Sequence, residues 1–235
     1  MYDKEKDQAD AVCQLQTLLL LNKKDEAMEL MNNSNMLLWI QQTPFLGKII
    51  HCAVALNDRK IVEAFLLKLP ASAEAKNVIM STPIYTAIEQ GKFEMAQILL
   101  NKNVDLTNVN AHGNNIAHAL VRYDDPFVEK CITLLRMTKD NLLDQQNLLG
   151  ETPLHLACLY GNIRNVQLLL DSHVSIIKKT RSGKKAQDYA IEADNSSQII
   201  SLLQNCHPHR VSKSGSFTNL LGIKVPKFLK KEECD

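Results

Sequence analysis

Apolar residues in this chain fall into short helical stripes separated by polar turns, and the clearest stripes lie between Gly150 and Leu170. Leu154, Leu156 and Ala157 give a short helix an apolar face with one small residue for close helix approach. Ile163, Val166, Leu169 and Leu170 follow at i, i+3, i+6 and i+7, the buried stripe of a second, antiparallel helix. Thr152 is placed to cap the first helix, its hydroxyl accepting from a free N–H of the first turn. Pro153 opens that helix where a missing N–H costs nothing. Gly161 supplies the positive φ that ends it. The pattern predicts a complete helix-turn-helix unit.

The same frame fits at four other places. Taking His155 as reference, the matching positions are His51, Tyr85, His118 and Asp188, and the five are spaced by 34, 33, 37 and 33 residues. Six residues after each come Asn57, Gly91, Asp124, Gly161 and Asp194. All five are types that tolerate the left-handed conformation of a tight turn. Fourteen and fifteen residues after the reference come Phe65-Leu66, Leu99-Leu100, Leu169-Leu170 and Leu202-Leu203, with Leu134-Leu135 two places late in the third unit. Asp125-Pro126 marks that insertion, Pro126 opening the second helix, and two more residues enter before Gly150. A unit recurring at this length predicts an all-α solenoid of stacked helix pairs, which moves the question of function from pockets to surfaces.

The ends are less regular. Residues from about Gln8 to Leu21 and from Asp25 to Met31 read as one further helix pair, with Val12, Leu15, Leu18 and Leu19 on one stripe and Ala27, Leu30 and Met31 on the other. It serves as an N-terminal capping unit over 1–44. Trp39 has two readings: packing between cap and first repeat, or an anchor for a partner. Beyond Leu203 the pattern stops, and 205–235 reads as a tail with a polar linker from Asn205 to Ser216. Its apolar islands, Phe217 to Ile223 and Val225 to Leu229, either fold back as a cap or form a docking segment.

Composition narrows the classes. The 235 residues carry a formal net charge of +1, which offers no argument for nucleic acid or for a membrane surface. The N-terminal residues are charged with no apolar signal core behind them, and the longest apolar run, Leu18 to Leu21, is too short to span a bilayer. Six cysteines in a chain this long do not make a disulfide framework; Cys52, Cys131 and Cys158 sit where a small apolar helix residue belongs. Reduced thiols place the chain in a cytoplasmic setting. No metal, cofactor or catalytic residue is expected. His155 lacks partners at ligand spacing, Cys206-His207-Pro208-His209 has no second cluster, and Asp124 and Asp125 make turns. The chain is expected to be monomeric by itself.

Thr152 to Ala157 spells T-P-L-H-x-A, and with Gly161 and the leucine pair it resembles the ankyrin-repeat family. Ser81 to Ala87 is a near match; Gly113 to His118 and Lys48 to Ala53 are weaker; Gly183 to Ala190 is the most diverged. The resemblance covers about Phe45 to Leu203 and implies five repeats over approximately 45–77, 78–110, 111–147, 148–180 and 181–204. It implies that His155 is scaffold, its ring tying down backbone of neighbouring turns. Many ankyrin repeats carry a finger asparagine that oxygen-dependent hydroxylases modify; Thr107 and Ile177 occupy that place here, so modification is not expected. Asn103 and His173 replace the usual finger glycine and tolerate positive φ.

The resemblance also implies where partners bind: residues flanking the glycine before the motif, and the two just before the turn. These are Leu148, Leu149, Glu151, Leu159 and Tyr160 in the fourth unit, and Ala111, His112, Asn114, Val121 and Arg122 in the third. They are Val78, Ile79, Ser81, Glu89 and Gln90 in the second, and Arg181, Ser182, Lys184, Glu192 and Ala193 in the fifth. Leu148, Leu149, Leu159 and Tyr160, with Val121, Arg122, His112, Arg181 and Lys184, form the candidate partner-binding set: an apolar centre beside the basic Lys178, Lys179, Arg181, Lys184 and Lys185. Leu148 and Leu149 have a second reading, packing against the lengthened third finger. The expected function is a non-catalytic module that binds another protein along the concave groove. Two roles fit: a regulator that sequesters a partner, or a microbial effector acting in host cytoplasm. An enzyme with chemistry in the third unit or the tail is the alternative class.

Overall fold

A computed structural model describes residues 10, 13–32, 46–138, 140–191, 193 and 195–205. Trp39, Glu192, Asp194 and the tail segments beyond Asn205 lie outside the described residues. The described residues form helices joined by tight turns, with no strand among them and no helix long and apolar enough to cross a membrane. They fall into two compact units, Met1–Asp105 and Leu106–Asp235.

In the first unit α1 (13–20) and α2 (Lys24–Met31) form the expected N-terminal pair, burying Leu15, Leu18, Leu19, Ala27 and Met31. Two repeats follow: α3 (Leu46–Ala55) with α4 (Arg59–Lys68), then α5 (Pro83–Glu89) with α6 (Phe93–Leu100). First helix packs on first helix (α3 on α5) and second on second (α4 on α6), which is what makes a stack. Asp58 joins the N-terminal pair to this stack. It caps α4 by accepting from Ile61 N–H at 3.2 Å and takes Lys24 Nζ at 2.8 Å. The Lys24 ammonium holds the Asp58 carboxyl below its ordinary range.

The second unit repeats the scheme with α7 (Ile116–Leu120) and α8 (Pro126–Arg136), α9 (Pro153–Leu159) and α10 (Ile163–Asp171), and α11 (Ala186–Ala190) and α12 (Ser196–Asn205). Here α7, α9 and α11 pack in series, as do α8, α10 and α12. The paired positions Leu134-Leu135 and Leu169-Leu170 are buried. Fully burying such a side chain contributes about 1.5–3 kcal/mol. That stacking explains how the five-residue helices α7 and α11 persist, since isolated helices under about 12 residues are marginal in water.

The turn column holds in three of the four places that lie among the described residues. Asn57, Gly91 and Gly161 have φ of 54°, 67° and 67°. The same role falls to Asn22 (φ 56°) in the N-terminal pair, a member that the motif frame did not reach. Asp124 stays out of the left-handed region. The insertion gives the chain room for an open turn, in which Asp125 takes an extended conformation and caps α8 through a 2.7 Å bond from Phe127 N–H. Asn103 and His173 adopt φ of 57° and 58°, as expected for substitutes of the finger glycine.

Candidate functional site

Each finger turn begins with a residue whose side chain folds the loop onto itself. Asn147 Oδ1 accepts from Leu149 N–H and Glu151 N–H, both at 2.9 Å. Asn110 does the same for His112 and Asn114 (2.9 and 3.0 Å), and Asn77 for Ile79 and Ser81 (3.1 and 3.0 Å). Thr180 Oγ1 fills the place in the last finger, accepting from Lys184 N–H at 3.2 Å. Three residues later the backbone turns left-handed at Met80, Gly113, Gly150 and Gly183. An asparagine side chain is suited to this because its oxygen can satisfy N–H groups two and four residues on. The signal was present: Asn77, Asn110 and Asn147 keep the 33- and 37-residue spacing of the histidine frame.

The fourth repeat's finger presents Leu148 and Leu149 at its tip, 52 % and 64 % exposed. Leu148 also lies beside the third repeat's finger, where a Cβ on Gly113 would come to 3.2 Å from its Cγ, while Leu149 is the more open of the two. The backbone beneath them is tied on both sides. Leu148 N–H donates to His112 carbonyl at 3.0 Å, and Arg181 N–H donates to Leu149 carbonyl at 2.9 Å. His112, Leu148, Leu149 and Arg181 therefore share one row of linked fingertips.

The inner helices add a second row. Leu159 and Tyr160 are exposed at the end of α9. The Arg122 guanidinium lies 5.5 Å from the centre of the Tyr160 ring, a cation–π contact that joins the third and fourth repeats. Lys184 stands over Tyr189 at 5.7 Å, and Tyr189 donates its hydroxyl to Glu151 at 2.8 Å.

Val121 does not belong to this surface. Its side chain is fully buried. Counting from His118 by the offset that gives Leu159 and Tyr160 from His155 leads to Arg122 and Tyr123. Val121 is one position short, and one helical position turns a side chain by about 100°. Lys178 departs from the basic cluster in another way. It pairs with Asp144 at 3.0 Å and also meets the Asp144 carbonyl, so it links the segments that lead into the fourth and fifth repeats' fingers. Val78 and Ile79 are exposed fingertip residues of the first unit, while Ser81 is buried.

The motif histidines His51, His118 and His155 are scaffold. His155 Nδ1 accepts from Thr152 N–H at 3.1 Å and lies 2.8 Å from Thr152 Oγ1; Nε2 lies 3.3 Å from Lys184 carbonyl. The N–H bond makes Nδ1 the acceptor, so Nε2 carries the proton and binds the next repeat's turn. Thr152 is the N-cap of α9, as the sequence pointed to, and His155 at the third helical position completes a capping box by taking the Thr152 N–H, with the Thr152 hydroxyl beside the imidazole. His118 Nε2 lies 3.1 Å from Glu151 carbonyl and His51 Nε2 lies 3.1 Å from Ala75 carbonyl. Burial lowers the proton affinity of all three, that of His118 to about 4. Burial likewise pushes the Cys131 and Cys158 thiols up to about 12, which removes them as nucleophiles. Asp124 pairs with Arg164, and the described residues hold no cluster of metal-ligating groups.

Residues 121–212 match the family model of ankyrin repeats, in three copies. The chain is 21 % identical over 155 residues to the nuclear factor NF-kappa-B p105 subunit of Gallus gallus, covering 63 % of this chain and 16 % of that protein. It is 27 % identical over 146 residues to the tyrosine-protein kinase Shark of Drosophila melanogaster, covering 62 % and 15 %. It is 23 % identical over 179 residues to transient receptor potential cation channel subfamily A member 1 of Homo sapiens, covering 75 % and 16 %. The chain thus spans about a sixth of these relatives' length. The helix pairs and the family match agree on an ankyrin-repeat solenoid.

Proposed function

We propose that this chain, an ankyrin-repeat protein, binds another protein through the row of fingertips and inner-helix ends centred on its fourth repeat. Ankyrin repeats are in general protein-interaction modules, and the repeats here carry the features of one. The observation that supports the location is the pair Leu148 and Leu149, open to solvent on a backbone held at three points by Asn147 and the two neighbouring fingers. Exposed leucines on a rigid support lose little entropy on binding, which is the condition for a strong anchor. Leu159 and Tyr160 extend the apolar centre; His112, Arg122, Arg181 and Lys184 form its polar rim.

A catalytic role for the third repeat finds less support. Its two turn aspartates are occupied, Asp125 as a helix cap and Asp124 with Arg164, and its motif histidine, His118, is committed to a carbonyl of the next repeat.

The test is a double substitution, Leu149→Ala with Tyr160→Ala. Truncating such anchors costs roughly 1–4 kcal/mol each. Partners captured by the wild-type chain are expected to be lost while helical circular dichroism is unchanged. Retention of the same partners by the folded double variant removes the surface from consideration.

A further inference from the structure

The surface proposed above is apolar at its centre and basic along one side, and hydrogen bonds hold the two parts together. Arg181 N–H reaches Leu149 carbonyl at 2.9 Å, and Gln146 Nε2 donates both to Gly150 carbonyl (2.6 Å) and to Lys179 carbonyl (2.9 Å). Residues 177–185 therefore run along the leucine finger. This stretch contains Lys178, Lys179, Arg181, Lys184 and Lys185 and no acid. Lys178 is spent on Asp144; the other four are exposed. The opposite side adds Arg122 over Tyr160. Among the described residues, the Glu151 carboxylate takes the Tyr189 hydroxyl and Asn147 Nδ2, and the Asp188 carboxylate takes Lys185 N–H at 2.7 Å.

Resting on that reading of the surface, we propose that the partner presents an acidic segment with adjacent apolar anchors. The anchors seat on Leu148, Leu149 and Tyr160, and the carboxylates face Lys179, Arg181 and Lys184. Burial of the apolar pair supplies the affinity. The charges supply approach rate and choice of partner, since a lysine-rich segment would bring like charges together. Arg181 is suited to this because a guanidinium grips a carboxylate with two parallel hydrogen bonds. Charge complementarity thus selects one occupant for an otherwise generic apolar ridge.

The probe is a library of short random peptides displayed on phage, selected against the full chain and counter-selected against the Leu149→Ala, Tyr160→Ala variant. The expected winners carry Asp or Glu beside two apolar residues. Their binding falls about tenfold or more on Arg181→Glu with Lys184→Glu, and it weakens with added salt because exposed charges are screened over about 8 Å at physiological ionic strength. Winners that are neutral or basic, yet lost on the counter-selection variant, overturn the acidic partner and leave the surface standing. Failure to enrich anything over that variant overturns both. Displacement of the winners by a lower concentration of a synthetic peptide of residues 217–235 makes the chain's own C-terminal segment the occupant and overturns the separate partner.

Discussion

Asn165 spends its side-chain amide on two carbonyls of the preceding repeat, donating to Val121 at 3.0 Å and to Tyr123 at 2.8 Å. It is buried in the first turn of α10, and the two carbonyls belong to the lengthened turn of the third repeat. One side chain thus pins the most irregular turn of the second unit to its regular neighbour. Asn165→Leu keeps the volume but removes the amide that donates to both carbonyls. An unsatisfied buried acceptor costs about 1–3 kcal/mol, so the variant is expected to lose about 2–4 kcal/mol in urea unfolding. A loss below about 0.5 kcal/mol means that water or a neighbouring group replaces the amide.

How much of this was legible in advance follows from where register survives. Leu169-Leu170 and Gly161 were readable because each sits at a constant offset from the motif, and Pro126 because proline is favoured at the first position of a helix. Val121 misled because the offset in the third repeat was taken one position short, and a helix punishes a one-residue error with a change of face. The finger asparagines were missed for a different reason. Their side chains act through backbone N–H groups of the loop, so they leave no hydrophobic period to follow, only their own spacing. Asn165 carries no sequence signal at all, since its partners lie 42 and 44 residues away.

Met80 occupies a glycine position. It has φ of 60° where Gly113, Gly150 and Gly183 have 74° to 80°, and it is half exposed. The left-handed conformation costs a side-chain-bearing residue about 1–2 kcal/mol. Glycine removes that strain but loses about 0.5–1 kcal/mol to unfolded-state freedom. Met80→Gly is therefore expected to be neutral to stabilising, by up to about 1 kcal/mol. A lowered melting temperature contradicts this and assigns the Met80 side chain a packing role.

Acid sensitivity follows from His118. Its folded-state proton affinity is lowered by burial to about 4, against 6.5 for the free group. The unfolded chain then binds more protons than the folded one below pH 6.5, so stability present above that value is lost as pH falls towards 4. The full span of this one group corresponds to about 3 kcal/mol. His51 and His155, shifted in the same direction, add to the slope. His118→Gln is expected to be less stable at neutral pH but to show a shallower decline between pH 6.5 and 4 in urea midpoints. Parallel curves for variant and wild type contradict the assignment.

Gly150 and Gly183 separate backbone strain from contact between fingers. Both have φ near 80°, so alanine is strained at either. At Gly183 an added Cβ meets nothing within 4 Å; at Gly150 it comes to 2.8 Å from Arg181 N and 3.0 Å from Thr180 Cα. These are backbone atoms of the neighbouring finger, and they cannot turn aside as a side chain would. Gly183→Ala is expected to cost about 1–2 kcal/mol from strain alone. Gly150→Ala must in addition push the basic finger away from the leucine finger and stretch the Arg181-to-Leu149 hydrogen bond. Hydrogen exchange reads this directly: the Arg181 amide should lose protection in Gly150→Ala and keep it in Gly183→Ala. Partner binding should fall with it, because Leu149 and Arg181 would no longer present one surface. Equal protection of the Arg181 amide in both variants, with both folded, contradicts the coupling of the two fingers.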